Sequence, residues 1–497
     1  MSANPVDYRD IQGLVRYGYA ALTEASFLLL EIRDARAAAA WLASAPVTNA
    51  VDLGKAPLTA LQVALTVQGM QKLGAPPAVI AGFSDEFQLG MWDPENRSRR
   101  LGDIGASAPE RWEWGGPGKV PHVLVMAYAQ SGLDVFIASI KGAHWDAAFR
   151  LITSLGTSNL HGYEPFGFTD GVSQPQPDWD RTRTTDDQLG YTNVSCLGEF
   201  LLGYPNEYGR YTDRPLLPSD SNSSPLPEAD DRPGMRDLGR NGSYLVLRQL
   251  KQDVRGFWQF ADREAHGDWQ QREQMAAAMV GRTRSGDPLV PLSRSPLPGV
   301  EAGRPPSNQF TYDSDVNGTH CPFGAHVRRA NPRNADYIAG TKGFFGERVR
   351  DLGLKQLDLR QDVMSSTRFH RVLRRGREYG PELTPEQALE PGYPDDQEHG
   401  LHFICLNANI SRQFEFVQSA WIMNSKFNGM TGETDPLLGN REPILNGQAT
   451  DNFLLPQESG LSRRITAVPQ FIIVRGGAYF FLPGIQALRF LATAYSR

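Results

Sequence analysis

Cysteine is scarce in this chain: there are three in 497 residues, Cys196, Cys321 and Cys405, and no two of them form a C-x-x-C pair. That spacing argues against a disulfide framework and against a thioether-linked haem, and it favours a reducing compartment. An excess of one charge is also missing, because 50 Lys plus Arg stand against 56 Asp plus Glu for a net charge of −6. Neither nucleic acid nor an anionic membrane surface is therefore an expected partner. No apolar run reaches the roughly 18 residues of a membrane span, and the first residues carry neither a basic stretch before a long apolar segment nor twin arginines. Together these absences predict a soluble, cytoplasmic protein.

The chain does have length, enough for two domains or an internally duplicated barrel around a large apolar cofactor. Short apolar runs precede helical patterns at Ala25 to Ile32, Leu58 to Thr66 and Val123 to Ala129. The same pattern returns at Ser243 to Gln249, Leu401 to Leu406 and Gln470 to Leu482. Two halves of similar grammar predict a duplication. No Gly-x-Gly-x-x-Gly follows a strand, and Val474-Arg-Gly-Gly-Ala478 reads as a hairpin, so the expected class is α+β, antiparallel sheets with helices packed on them, rather than a doubly wound nucleotide fold. The expected division is an N-terminal domain over residues 1–203, a connecting loop over 204–241 and a C-terminal domain over 242–497. A second polar stretch, 282–317, runs into the most chemically loaded segment and is read as a cover over a site.

Four segments carry candidate chemistry. In the first, Asp170 sits in a turn between Gly167 and Gly171, glycines that accept positive φ and let backbone approach a bulky ligand. The second, His320-Cys-Pro-Phe-Gly-Ala-His326-Val-Arg328-Arg329, allows two readings. Zinc on His320, Cys321 and His326 lacks a fourth ligand and a second close-spaced pair. Alternatively His326 alone holds haem iron through Nε2, with basic residues such as Arg328 meeting the propionates. The third is an arginine cluster, His370-Arg-Val-Leu-Arg374-Arg375-Gly-Arg377. The fourth places Glu415 between Phe414 and Phe416, where a carboxylate needs a partner.

Taken together these segments resemble the dye-decolourising peroxidase family. Its Gly-x-x-Asp-Gly signature stands here as Gly167 to Gly171, and its His-x-Arg-Arg-x-Asn-Pro-Arg block as His326 to Arg333. The Val372 to Gly380 and Asn241 to Leu250 runs are also similar, in the family's order, over roughly residues 25 to 495. The chain looks like the longer branch of that family.

The resemblance implies a duplicated ferredoxin-like fold, of the dimeric α+β barrel type, with one haem b per chain held mainly by the C-terminal half. It implies His326 as the proximal iron ligand, Asp170 as the distal acid–base and Arg374 as the distal arginine, with Arg375 the alternative one residue on. Glu415 is matched to the acidic partner of the proximal histidine. The implied reaction reduces hydrogen peroxide through a ferryl state and oxidises dyes, phenolic or lignin-like aromatics, or Mn(II), in a monomer or homodimer. Trp421 is a candidate relay for bulky reductants. Haem or iron handling with incidental peroxidase activity is the competing reading, against which Asp170 and the arginine cluster speak, because simple carriage needs only the proximal side.

Overall fold

Runs of Val, Leu, Ile and Phe become strands because two-sided burial rewards continuous apolar side chains. In the computed structural model, which describes residues 5–93, 95–183, 192–292, 306–333, 366–443, 447–457 and 460–495, the N-terminal half follows in order. It comprises β1 (Glu24–Ile32), α1 (Ala35–Ser44), β2 (Thr59–Leu65), α2 (Val67–Lys72), β3 (Val123–Ala129), α3 (Leu133–Lys141) and β4 (Phe149–Gly156). The C-terminal half repeats the scheme with β5 (Ser243–Gln252), α4 (Val254–Glu264), α5 (Trp269–Val280), α6 (His326–Ala330), β6 (Leu373–Arg374), β7 (Arg377–Tyr379), β8 (His399–Asn407), β9 (Ile472–Leu482) and α7 (Ile485–Ala494). Aspartates mark several helix starts: Asp34 accepts from Ala37 N at 2.7 Å, and Asp253 and Asp268 do the same for α4 and α5.

All the strands named here belong to one nine-stranded sheet in the order β6-β8-β5-β9-β2-β3-β1-β4, with β7 also pairing β8. Counted within each half, both run second-third-first-fourth, so the duplication is explicit in the topology and each half is ferredoxin-like. The halves join where Phe481 of β9 pairs with Leu65 of β2. At the far edges Ser158 N donates to Glu378 O at 2.8 Å, and His402 Nε2 lies 3.0 Å from Gly156 O. The sheet thus curls until its margins meet, as a barrel.

Alternation along the strands then sorts side chains into an inside and an outside. Phe27, Leu124, Leu245, Ile404 and Phe480 share the inner core; Leu28, Val125, Val246 and Tyr479 face the helices. The interior is filled by the chain's own beginning, with Ile11, Leu14, Val15 and Tyr19 buried among the inner residues. Gln12 fastens this plug, donating to Val63 O at 2.7 Å and Pro483 O at 2.9 Å and accepting from Val63 N at 2.9 Å.

One expectation is revised. Val474 to Ala478 is no hairpin: β9 is one strand with a bulge between Val474 and Gly476, and the glycines are there because Trp114 packs where a Cβ on Gly476 would stand, 2.6 Å away. The connecting stretch 204–241 is tied down by polar contacts. Tyr204 donates to Asn241, Asn241 donates to Asp10 at 2.7 Å, and Arg214 is buried between Asp231 and Asp237. Of the stretch read as a cover, 293–305 lies outside the described residues.

Arg375 points into the barrel, donating to Leu14 O at 2.7 Å and Val15 O at 3.0 Å. Truncation to alanine strands both buried carbonyls, and stability is expected to fall by about 2 kcal/mol. Urea unfolding of Arg375→Ala checks this through a lowered midpoint at unchanged slope.

Candidate active site

Outside the barrel, on the C-terminal half, lies a cavity of about 300 Å³. Outer-face residues of three neighbouring strands line it: Arg248, Leu250 and Gln252 of β5, Leu401 and Phe403 of β8, and Ile472 and Val474 of β9. His326, Asp170, Arg374, Arg282, Glu164, His370 and Trp421 line the same cavity, so residues far apart in sequence converge there.

His326 begins α6. Its Nδ1 lies 2.9 Å from Asp435 Oδ2. Asp435 is fully buried, and its other oxygen accepts from Leu437 N at 2.9 Å and Leu438 N at 2.8 Å. Burial disfavours charge on both partners, yet their mutual attraction prevails, holding the imidazole above its ordinary pKa and, with the Leu438 amide, the carboxyl below its own. Among the described residues nothing bonds His326 Nε2, and 27% of the side chain is accessible although the ring lies deep in the protein. The accessible part faces the cavity.

Asp170 stands in a turn whose glycines take φ +88° at Gly167 and +73° at Gly171. Gly171 N donates to its Oδ1 at 2.6 Å, and Arg374 Nη1 to the same oxygen at 3.3 Å. Arg374 is fixed in turn by Ser173 O, 3.2 Å from Nη2, and by Gln174 Oε1, 3.0 Å from its amide. The Asp170 turn leans on the residues after α5, because Thr169 N donates to Arg284 O at 3.0 Å. Arg282 donates from Nη1 to Gly286 O and Ser307 O, both at 2.7 Å, while its buried Nη2 has no hydrogen bond among the described residues; burial and the nearby Arg333 charge bring its pKa down to about 10. His370 stacks on Phe416 at 3.7 Å with Trp421 edge-on at 5.2 Å, and burial lowers its pKa to about 4.

The structure brings His326, Asp170 and Arg374 together and separates three others. Arg375, one residue beyond Arg374, falls by alternation on the barrel's inside. Arg328 is a buried clip: it pairs with Asp315 at 2.9 Å, donates to Cys321 O at 2.7 Å and lies between the Tyr312 and Phe323 rings, outside the cavity lining. Glu415 does not meet His326, because it pairs with Arg97 and accepts from Tyr479, and Asp435 takes the place expected for it. Among the described residues no three His, Cys, Asp or Glu form a cluster able to hold a metal ion, which leaves the zinc reading without a site. Asp435 escaped the sequence reading because Thr-Asp435-Pro-Leu-Leu signals only a local turn and nothing ties it to a histidine 109 residues earlier. Glu164 and Arg282 carried no signal beyond an ordinary loop.

No family model matches the chain. It is similar to a multifunctional dye peroxidase of an Amycolatopsis strain, 31% identical over 87% of this chain and 82% of the relative. A dye-decolorizing peroxidase of Auricularia auricula-judae is 29% identical over 98% of this chain and 87% of the relative. Among solved structures, a dye-decolorizing peroxidase in complex with 2,6-dimethoxyphenol superposes with TM-score 0.70 at 25% identity, covering 98% of this chain and 100% of the other.

Glu164 holds the Asp170 turn, accepting from Phe166 N at 3.1 Å, Phe168 N at 3.0 Å and Gln252 Nε2 at 2.9 Å. Burial outweighs these bonds and pushes its pKa from 4.5 up to about 7. The folded protein therefore keeps a proton that the unfolded chain releases, so this contribution to stability is full below pH 4.5 and is lost as pH rises to about 7. In urea unfolding, the stability of wild type minus that of Glu164→Gln should decline across that window and stay level above it; a difference that does not vary with pH would contradict the assignment.

Proposed function

The chain belongs to the dye-decolourising peroxidase family, and from that membership we propose how its cavity residues divide the work of reducing hydrogen peroxide at a haem and oxidising dyes and phenolic aromatics. The residues fit the cofactor. An imidazole whose Nε2 has no hydrogen bond among the described residues faces a largely apolar cavity, and the cavity wall carries the Nη2 of Arg282, likewise without a hydrogen bond among them, which an anionic propionate would satisfy. We assign one haem b per chain to this site, with His326 as iron ligand and Arg282 as propionate partner. Haem bound there supplies the two-electron reduction of peroxide and the later one-electron oxidations of the reductant.

Asp435 orients the imidazole and makes it more electron-donating by holding its Nδ1–H. Asp170, which lines the cavity, would take a proton from peroxide there and return it to the departing oxygen; its Oδ2 has no hydrogen bond among the described residues. Arg374 keeps that carboxylate in place and offers N–H donors to charge developing on the departing oxygen. The observation that carries this reading is the convergence of His326, from the C-terminal half, and Asp170, from the segment before the first β5 residue, on one cavity. We place the protein in a reducing compartment, the cytoplasm, in keeping with three cysteines that are all free and buried. No helix among the described residues is long and apolar enough to cross a membrane.

Stopped-flow mixing of the haem-loaded protein with peroxide tests the distal assignment. Asp170→Asn should slow the spectral change by roughly 10²–10⁴-fold, the usual worth of a positioned acid–base, and equal rates in the two proteins would remove Asp170 from the mechanism. On the proximal side, Asp435→Asn should weaken haem binding by roughly 10- to 100-fold, measured by transfer of haem to an acceptor protein.

A further inference from the structure

Glu415 takes no part in the cavity chemistry, and neither does the phenol it holds. Tyr479, on the outer face of β9, is 2% exposed and donates its hydroxyl to Glu415 Oε1 at 2.9 Å. Glu415 is 1% exposed; the same oxygen accepts from Arg97, while Oε2 is buried without a hydrogen bond among the described residues, 3.7 Å from Arg100. One ring separates this pair from the cavity: Phe414, part of the cavity wall, lies edge-to-face with Tyr479 at 6.1 Å between centroids.

We infer that Tyr479 and Glu415 form an internal oxidation site, in which Tyr479 gives one electron to the peroxide-oxidised haem while its phenolic proton passes to Glu415. The inference rests on the peroxidase reading above. The step balances: the O–H bond of Tyr479 breaks, its proton forms an O–H bond on Glu415 Oε1, and its electron reduces the oxidised cofactor by one equivalent, leaving a neutral phenoxyl radical.

Three features favour this step. Burial and the neighbouring carboxylate both keep the phenol protonated in the resting protein, so an electron leaves only if a proton leaves with it. The acceptor is already at hydrogen-bond distance and needs no rearrangement. Arg97 pairs with the same Glu415 oxygen that takes the phenol's hydrogen bond and so fixes the acceptor in place. The buried hydroxyl of Tyr204 donates to the Asn241 amide oxygen and that of Tyr128 lies against the Met126 sulfur, neither of them a carboxylate. Tyr379 does donate to Glu398, at 2.7 Å, but it is only partly buried, on the short marginal strand β7, and stacks on His402 rather than on a ring of the cavity wall. In the absence of reductant, Tyr479 would hold the second oxidising equivalent inside the protein and away from the haem.

Electron paramagnetic resonance of the haem-loaded enzyme, frozen after one equivalent of peroxide without reductant, tests this. An organic radical signal is expected that narrows with ring-deuterated tyrosine, shows an exchangeable proton coupling lost in D2O, persists in Tyr379→Phe, and disappears in Tyr479→Phe and Glu415→Gln. A signal unchanged in Tyr479→Phe, or not narrowed by deuteration, overturns the inference. Should Tyr479→Phe fail to load haem, the wild-type signal decides, because a tyrosyl signal with no exchangeable coupling excludes the Glu415-bonded phenol. If the haem absorption of wild type does not respond to peroxide at all, the peroxidase reading fails and this inference with it; a normal haem response without a tyrosyl radical defeats the inference alone.

Discussion

Side-chain alternation along a sheet that curls back on itself is the constraint on which the rest of this molecule depends. Successive residues of one strand face different media, one the sealed interior and the other the helices and the cavity. Arg374 and Arg375 show how sharply this acts: one lies against Asp170 in the cavity, the other ties down backbone carbonyls of the plug. Tyr479 and Phe480 divide likewise, the phenol outward to Glu415 and the phenyl ring inward. A shift of register by one residue would exchange chemistry for packing at every such position.

Several charges deep in the protein have a charged partner. Asp435 has His326 and two backbone amides, Asp103 has Arg248, Asp315 has Arg328, and Glu415 has Arg97 and Tyr479. Each pairing removes a choice, because an ion left alone at such depth would cost several kcal/mol. The pairs also join segments remote in sequence. Arg97 to Glu415 spans 318 residues and Arg248 to Asp103 spans 145, so the walls of the cavity are stitched across the two halves.

Much of this was legible in the sequence, for identifiable reasons. Strands followed from apolar runs, a local effect. The duplication was legible because each half repeats the same grammar, and the motifs around His326, Asp170 and Arg374 pointed to the three residues that share one cavity. Partnerships were not. That Glu415 needs a counter-group follows from its aromatic neighbours, but whether the group is His326 or Arg97 depends on wide π-type turns, such as Glu415 N bonding Ile410 O, that rotate the 411–422 segment away from α-helical spacing. Likewise Gly476 and Gly477 look the same whether they make a turn or admit Trp114; only the packing decides.

The N-terminal plug has a consequence for how the molecule is made. Gln12 bonds Pro483 across 471 residues, so the segment that fills the barrel has its final neighbours only when β9 exists. Until then Leu14, Val15 and Tyr19 have no finished barrel to enter, and the inner face of β5 stays open to solvent and to other chains. Loop closure over that span must precede the contacts that reward it, which places this protein among slow folders of high contact order. Ile472 and Val474 of β9 form part of the cavity wall, so the cavity too is complete only once that strand is in place.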